Sequence, residues 1–210
     1  MGTKNVTQEK QHQEYLKLYK KILIEVEEMY GKRLNKLKFG TIIYNGSEPG
    51  LDYTRYFNAV PRENKVDIRL SIGALNNRTK GIFQLSHEVV HLLSPLNSSD
   101  EQITNNLEEG AAVYFSKVYT KRETGDEANF NAPNTKTGYL YAYKLVEQLL
   151  ILDPQSIKML REKQPYFTKV VEGDFEKAGI KIDKNFVAEL IANFYENRSI
   201  DAIEDKSKKV

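Results

Sequence analysis

The amino-acid sequence predicts an α+β fold in which a small N-terminal sheet and a buried helix precede a mainly helical C-terminal part. Three observations support this prediction. Apolar residues recur at helical spacing from about Thr7 to Tyr30, residues 37–70 contain segments of strand character, and helical spacing returns after residue 100. We expect a core over residues 1–122 and a helical subdomain over residues 123–210 that packs on this core.

The first helix is predicted from about Thr7 to Tyr30, and Gly31 is suited to its C-cap. His12 falls near the beginning of this helix, where we expect it to be exposed and unrelated to any site. Charged residues occupy the other face, as on an amphipathic helix with one solvated side. The apolar stripe consists of Tyr15, Leu18, Ile22, Val26 and Met29, widened by Tyr19 and Leu23.

The strands of the sheet are predicted between residues 37 and 70. In the last of them Val66, Ile68 and Leu70 alternate with Asp67 and Arg69, the pattern of a half-buried edge strand. An edge strand could hold an extended peptide by strand addition, or it could simply complete the sheet, and the sequence leaves both open. The predicted strands span residues 37–44, 53–60 and 66–70, with loops at 45–50 and 61–64.

Composition excludes several classes of protein. The 210 residues include 31 basic and 29 acidic ones, and the formal net charge of +2 indicates neither a nucleic-acid nor a membrane partner. Because the chain has no cysteine, disulfides cannot form and any metal site must use His, Asp and Glu. The N-terminus has no apolar signal core, and no stretch approaches about 20 consecutive apolar residues. We therefore expect a soluble, cytoplasmic monomer.

Helices are predicted throughout the C-terminal part. The first should have its N-cap at Ser99 or Asp100 and run to about Lys121. Its apolar stripe should include Leu107 and Val118. A polar loop at 125–138, helices at 139–152, 155–162, 165–171 and 185–195, and a charged tail at 196–210 complete the chain.

The most informative stretch is His87-Glu88-Val89-Val90-His91, which has two of the three histidines in the chain and the H-E-x-x-H spacing of zinc metallopeptidases. Residues four apart stack on a helix, so both imidazoles can bind one metal ion. Glu88 lies about 60° around the helix from His91, where it flanks such a metal. Flanking apolar residues predict a largely buried helix. The alternative is two core histidines satisfied by backbone carbonyls, which buries three polar groups together at a cost.

A catalytic zinc site usually has three protein ligands, so a third ligand must be found. In the compact His-x5-His arrangement it would be Asn97, which is not a histidine. A carboxylate is therefore expected, and the next helix offers Glu108 and Glu109 side by side. Helical phase slightly favours Glu108, and either residue could instead be an ordinary surface glutamate.

The Glu-Gly-x-x-x-Tyr-Phe stretch that begins at Glu109, on the helix after H-E-x-x-H, resembles the gluzincin metallopeptidases, particularly their aminopeptidase branch. The resemblance covers roughly residues 87–115. It implies a zincin-like catalytic core in which His87, His91 and Glu109 bind zinc and Glu88 is the catalytic base.

Three features depart from the family pattern. The Gly-x-Met-Glu-Asn segment that binds a free amino terminus is absent before the motif. The aspartate that orients a ligand histidine would be Val113, and the tyrosine that stabilises the oxyanion would fall near Thr135. Tyr139, Tyr141 and Tyr143 are nearby substitutes for this tyrosine, although aromatic residues at helical spacing usually pack in a core.

The resemblance implies a zinc-dependent peptidase, a hydrolase that cleaves peptide or protein substrates through a zinc-bound water activated by Glu88. Two other functions remain open. The chain could be a catalytically inactive zincin-like domain that keeps its metal for structure or regulation. It could also be a metal-free helical interaction protein in which the motif is accidental.

Overall fold

The computed structural model describes residues 2–34, 38–44, 58–60, 65–94, 104–126 and 137–194. Most of these residues are helical, and three short strands form one sheet, which agrees with the predicted α+β class. In this part of the chain no helix is both long and apolar enough to cross a lipid bilayer. The strands are β1 Lys38–Tyr44, β2 Asn58–Val60 and β3 Lys65–Leu70, and the helices are α1 Gly2–Tyr30, α2 Arg78–His91, α3 Asn106–Thr124, α4 Thr137–Leu152, α5 Ser156–Lys163, α6 Glu172–Lys177 and α7 Lys184–Ile191.

The chain forms two compact units, and helix α3 contributes residues to both of them. The predicted division into a core over residues 1–122 and a helical subdomain over residues 123–210 stays a prediction. The first unit comprises Met1–Glu28, Lys32–Glu101 and Phe115–Ala128, and the second comprises Met29–Gly31, Gln102–Tyr114 and Asn129–Val210.

Helix α1 begins earlier than predicted, at Gly2, and ends where predicted, at Tyr30. Gly31 follows with a φ of 91°, which a glycine adopts without strain, so the expected C-cap is confirmed. Leu18 and Met29 of the predicted stripe are only half-buried, because the neighbouring tyrosines take the buried positions. The buried face consists of Tyr15, Tyr19, Ile22, Val26 and Tyr30.

His12 lies in the third turn of α1 and is half-buried, so the expectation that it is exposed was wrong. Its Nδ1 atom is 3.1 Å from the hydroxyl oxygen of Tyr44 at the end of β1. The two rings meet edge to face, with their centroids 5.7 Å apart. Ten helical residues precede His12, so it lies within α1 and not at a frayed end. Its ring can therefore pack against Tyr44 of the sheet.

The sheet has the strand order β1-β3-β2, so β3 is its central strand. β3 pairs in parallel with β1 and antiparallel with β2, where Asn58 lies opposite Asp67 and Val60 opposite Lys65. The prediction of an edge strand was wrong, since alternation reports that one face is solvated and does not report the neighbouring strands. Because β3 is paired on both sides, it completes the sheet and does not offer an unpaired edge to which a peptide could add. Its alternation is confirmed by the burial of Val66, Ile68 and Leu70.

The C-terminal helices differ from prediction at three places. α3 begins at Asn106, whereas the predicted N-cap residues Ser99 and Asp100 lie outside the described residues. The segment predicted as a helix over residues 165–171 has one 3₁₀ turn, Phe167–Lys169, and the short helix α6 was not predicted. α4, α5 and α7 lie close to their predicted positions, while the middle of the predicted loop and the charged tail lie outside the described residues.

Ion pairs join α1 to the end of α3 within the first unit. Arg122 donates from Nη2 to both carboxylate oxygens of Glu25, at 2.9 and 2.7 Å. Lys21 donates from Nζ to Glu123 at 2.6 Å, and this hydrogen bond lowers the pKa of Glu123 below its usual value near 4.5. A carboxyl group with a lowered pKa stabilises the folded state above its usual pKa, and this contribution is lost as the pH falls through the lowered value.

Replacing Glu123 by glutamine is expected to lower the free energy of unfolding at pH 7 by about 0.2–1 kcal/mol, because the Lys21 side chain is half exposed and solvent weakens the pair. The difference should begin to shrink as the pH falls below 4.5 and should be lost as the pH falls through the lowered pKa of Glu123, where the wild-type carboxyl is protonated. Urea denaturation from about pH 7 to pH 3 measures it. Glu162→Gln, at an exposed position of α5, is the control, and a difference that is unchanged at the lowest pH would contradict the assignment.

Candidate metal centre

Helix α2, which carries the H-E-x-x-H motif, is buried along nearly its whole length. Asn77 caps its N-terminus, because its side chain accepts a hydrogen bond of 2.9 Å from the Lys80 N–H. Every residue from Gly81 to His91 is buried, which confirms the predicted largely buried helix. A helix buried on all sides fixes the direction of each of its side chains by packing.

Two contacts hold α2 in place within the first unit, the close packing of Tyr15 on Gly81 and the hydrogen bonds between Gln84 and Ser71. The Tyr15 hydroxyl donates to the Ala74 carbonyl at 2.8 Å, and its ring crosses α2 so closely that a Cβ on Gly81 would lie 1.8 Å from the hydroxyl oxygen. The side-chain oxygen of Gln84 accepts from both the N–H and the hydroxyl of Ser71, at 3.0 and 3.1 Å. These contacts set the position of the helix one turn before His87.

His87 and His91 bring their Nε2 atoms to 3.2 Å from each other, with ring centroids 5.0 Å apart. In a tetrahedral zinc site with metal–nitrogen distances of about 2.0–2.1 Å, two ligand atoms lie about 3.3–3.4 Å apart. The histidine pair therefore has nearly the separation that two ligands of one ion require. Both side chains are buried, so their rotamers are fixed by the protein interior.

The first half of α3 is also buried on all sides, from Asn106 to Val113. Glu108 and Glu109 are 2% and 0% exposed, so neither is an ordinary surface glutamate. Helical phase could not discriminate between them, because no face of this half is solvated. The second half does have a solvated face, and Val118 lies on it at 48% exposed, contrary to prediction. Its buried side chains include Phe115, Ser116 and Tyr119.

His87, His91 and Glu109 together form a buried group in which one ligand atom of each lies within 4.8 Å of the others. Glu108 is not a member of this group, although it is almost equally buried. Burying a carboxylate costs free energy unless a cation or hydrogen bonds compensate, and a bound cation would do so here. The group could therefore hold a metal ion, and it is the only such group found in the part of the chain that the structure describes.

Glu88, the predicted base, is 4% exposed and follows His87 directly on α2. It does not belong to the group of ligand atoms, as its angle around the helix predicted. Glu88 is therefore a buried carboxylate that is adjacent to His87 in sequence and lies outside the group that could hold a metal ion.

The three tyrosines suggested as oxyanion stabilisers have structural contacts within the second unit. Tyr139 packs on the ring of Phe194, with centroids 4.9 Å apart. Tyr141 donates its hydroxyl hydrogen to Glu189, and Tyr143 donates to Glu147. Tyr139 and Tyr141 are buried, as expected of packing residues, whereas the hydroxyl groups of Tyr141 and Tyr143 are hydrogen-bonded to carboxylates of the same unit.

Two residues that lie near Glu109, Asn105 and Tyr30, were not predicted from the sequence. Asn105 accepts from the Glu108 N–H through its side chain at 2.9 Å, and Tyr30 donates its hydroxyl hydrogen to the Ala111 carbonyl at 3.1 Å. The cap has a sequence signal, because Asn105 stands three residues before Glu108 in the spacing of a helix N-terminus. The contact of Tyr30 has none, since it joins residues 81 positions apart.

Comparisons of the chain with protein-family models, with curated proteins and with solved structures gave no match. Function must therefore be inferred from the geometry and the donor chemistry of the His87, His91 and Glu109 group. Two imidazole nitrogens and one carboxylate oxygen, with the nitrogens close to the separation of two ligands, form a group that could hold a metal ion.

Proposed function

We propose that this chain is a zinc-dependent peptidase of the gluzincin type, with His87, His91 and Glu109 as metal ligands and Glu88 as general base. The observation that carries the proposal is the 3.2 Å separation of the two histidine Nε2 atoms, in a buried group that includes the Glu109 carboxylate. The substrate is a peptide or a protein, because the H-E-x-x-H arrangement is typical of peptide hydrolysis.

The donor set favours zinc among the divalent metals. Two histidines and one carboxylate are a ligand set found in catalytic zinc sites, whereas structural zinc sites usually have four protein ligands rich in cysteine. The group has three ligating side chains, and the chain has no cysteine. When bound there, zinc would supply Lewis acidity that polarises the scissile carbonyl and lowers the pKa of a coordinated water.

The protein's own residues would then move the protons. The Glu88 carboxylate takes a proton from the attacking water as the water oxygen bonds to the carbonyl carbon of the scissile peptide bond. It later gives that proton to the nitrogen of the leaving amine as the carbon–nitrogen bond breaks. Burial of Glu88 and of the two histidines keeps bulk water from competing for these protons. Each catalytic cycle returns Glu88 to its ionised state.

The test is the metal content of purified wild type, Glu108→Ala and Glu109→Ala by elemental mass spectrometry. Wild type and Glu108→Ala are expected to contain about one zinc ion per chain, and Glu109→Ala to lose most of it, because a catalytic site needs its third ligand. Glu108 is the matched control, since it is adjacent, almost equally buried and outside the group.

Three outcomes would contradict the proposal. Wild type that takes up no metal even after zinc is added would return both histidines to an ordinary core role. Zinc lost from Glu108→Ala but kept by Glu109→Ala would reverse the ligand assignment. Bound zinc without cleavage of any member of a broad peptide library would instead indicate a metal-binding domain without catalysis.

A further inference from the structure

Asn105 connects the backbone of both adjacent glutamates to the preceding turn of the chain. Its side-chain oxygen accepts from the Glu108 N–H at 2.9 Å, and its carbonyl accepts from the Glu109 N–H at 3.1 Å. Asn105 is therefore the N-cap of α3 and lies one turn before the proposed ligand. Asn105 is only 4% exposed, so water has little access to the groups that its hydrogen bonds satisfy.

The other end of the Asn105 side chain is tied to the C-terminal part of the second unit. Its Nδ2 donates to the Phe167 carbonyl at 2.7 Å, and Phe167 is fully buried. The next residue repeats the pattern, since Asn106 donates from Nδ2 to the Glu189 carbonyl at 2.8 Å. The start of α3 is thus attached by two side-chain amides to backbone that lies far along the sequence.

The turn that carries Glu109 is also constrained on its other sides. The Tyr30 hydroxyl donates to the Ala111 carbonyl at 3.1 Å. Gly110 lies so close to α4 that a Cβ there would be 2.2 Å from the Ala142 carbonyl oxygen. With α3 fixed by Tyr30 and α4, the Asn105 cap is one of the contacts that orient the first turn, and it is the one attached to the Glu108 and Glu109 backbone. A metal ligand misplaced by about 1 Å is enough to weaken a site.

We propose that Asn105 is a positioning residue for the metal site, which orients Glu109 by fixing the first turn of α3 to Phe167. The inference rests on the proposed function only in that Glu109 is a metal ligand. It concerns the affinity for metal and makes no claim about the substrate or the cleavage reaction.

The test is the Zn²⁺ affinity of the full chain, measured by competition with a chromophoric chelator well below the unfolding temperature of each variant. Asn105→Ala is expected to bind Zn²⁺ about 10- to 100-fold more weakly than wild type, the loss typical of residues that orient metal ligands. The visible spectrum of the Co²⁺-loaded variant should move toward that of Glu109→Ala, because the carboxylate no longer reaches the ion correctly.

Asn77→Ala is the matched control, since it removes a cap of the same type from α2, ten residues before the first histidine ligand. It should lower the unfolding temperature and leave the Zn²⁺ affinity unchanged. Asn105→Ser keeps an oxygen for the Glu108 N–H but loses the donor to Phe167, so a smaller loss of affinity is expected. Asn105→Ser also serves as the test if Asn105→Ala does not fold.

Wild-type affinity in Asn105→Ala, or in Asn105→Ser where only that variant folds, would overturn the positioning role and leave the proposed function intact. An equal loss of affinity in Asn77→Ala would also overturn it, because any lost cap would then suffice. Wild type that binds no Zn²⁺ would overturn the proposed function together with this inference.

Discussion

Replacing Glu88 by glutamine is expected to lower kcat for peptide cleavage by about 10²- to 10⁴-fold while the protein keeps its zinc. Glutamine has nearly the same shape as glutamate but cannot accept the proton from the attacking water. Because Glu88 lies outside the group of ligand atoms, the metal should remain. Steady-state cleavage of a peptide found in a library screen, together with elemental analysis of both proteins, measures the two effects.

Glu108→Gln is the control for this change, since it makes the same substitution at another buried glutamate that is not a member of the metal group. It should keep both zinc and cleavage. Peptidase activity retained by Glu88→Gln would remove Glu88 from the mechanism, and loss of zinc from this variant would make it a ligand instead of a base.

Replacing Gly110 by alanine is expected to lower the free energy of unfolding by about 1–3 kcal/mol or more, the cost of overpacking a tight contact. The added Cβ would lie 2.2 Å from the Ala142 carbonyl oxygen and 2.6 Å from a methyl group of Val146. One of these atoms is backbone, so α3 and α4 must separate. Urea denaturation measures the loss. Because Glu109 precedes Gly110 directly, the variant should also bind zinc more weakly.

Gly173→Ala is the matched control for this destabilisation. Gly173 is in helix α6, and a Cβ there would have no atom within 4 Å. Alanine at such a position should stabilise the protein by about 0.4–1 kcal/mol, because it restricts the unfolded chain. Equal stability of Gly110→Ala and wild type would show that α3 and α4 are less tightly packed than their backbones indicate.

Local patterns predicted the helix that carries the histidines, because the information lies within it. Apolar residues on both sides of His87 and His91 indicated burial, and their spacing of four placed both rings on one face. Helical phase could not identify which of Glu108 and Glu109 joins the two histidines, and the reason is physical. Phase assumes one buried and one solvated face, whereas the first half of α3 is buried all round. The choice of Glu109 came from the resemblance to gluzincins.

Features that depend on distant parts of the chain could not be predicted in this way. The alternation in β3 correctly gave its buried face, but its central position depends on pairing with β1 and β2. The same limit applies to the contacts of Asn105 with Phe167 and of Tyr30 with Ala111, which join residues 62 and 81 positions apart. Periodicity describes how an element meets solvent, and it contains no information about which other element covers it.

The burial of α2 from Gly81 to His91 has a consequence for the lifetime of the histidine pair. Every residue from Gly81 to His91 is buried, so the only exposed turn of this helix is its first, Arg78–Lys80, and fraying there lies about two turns away from the histidines. Amide hydrogens in such a segment exchange with solvent through the large-scale opening of the unit that contains them. The two imidazoles therefore stay together for as long as that unit remains folded, and brief fluctuations of the surface do not separate them.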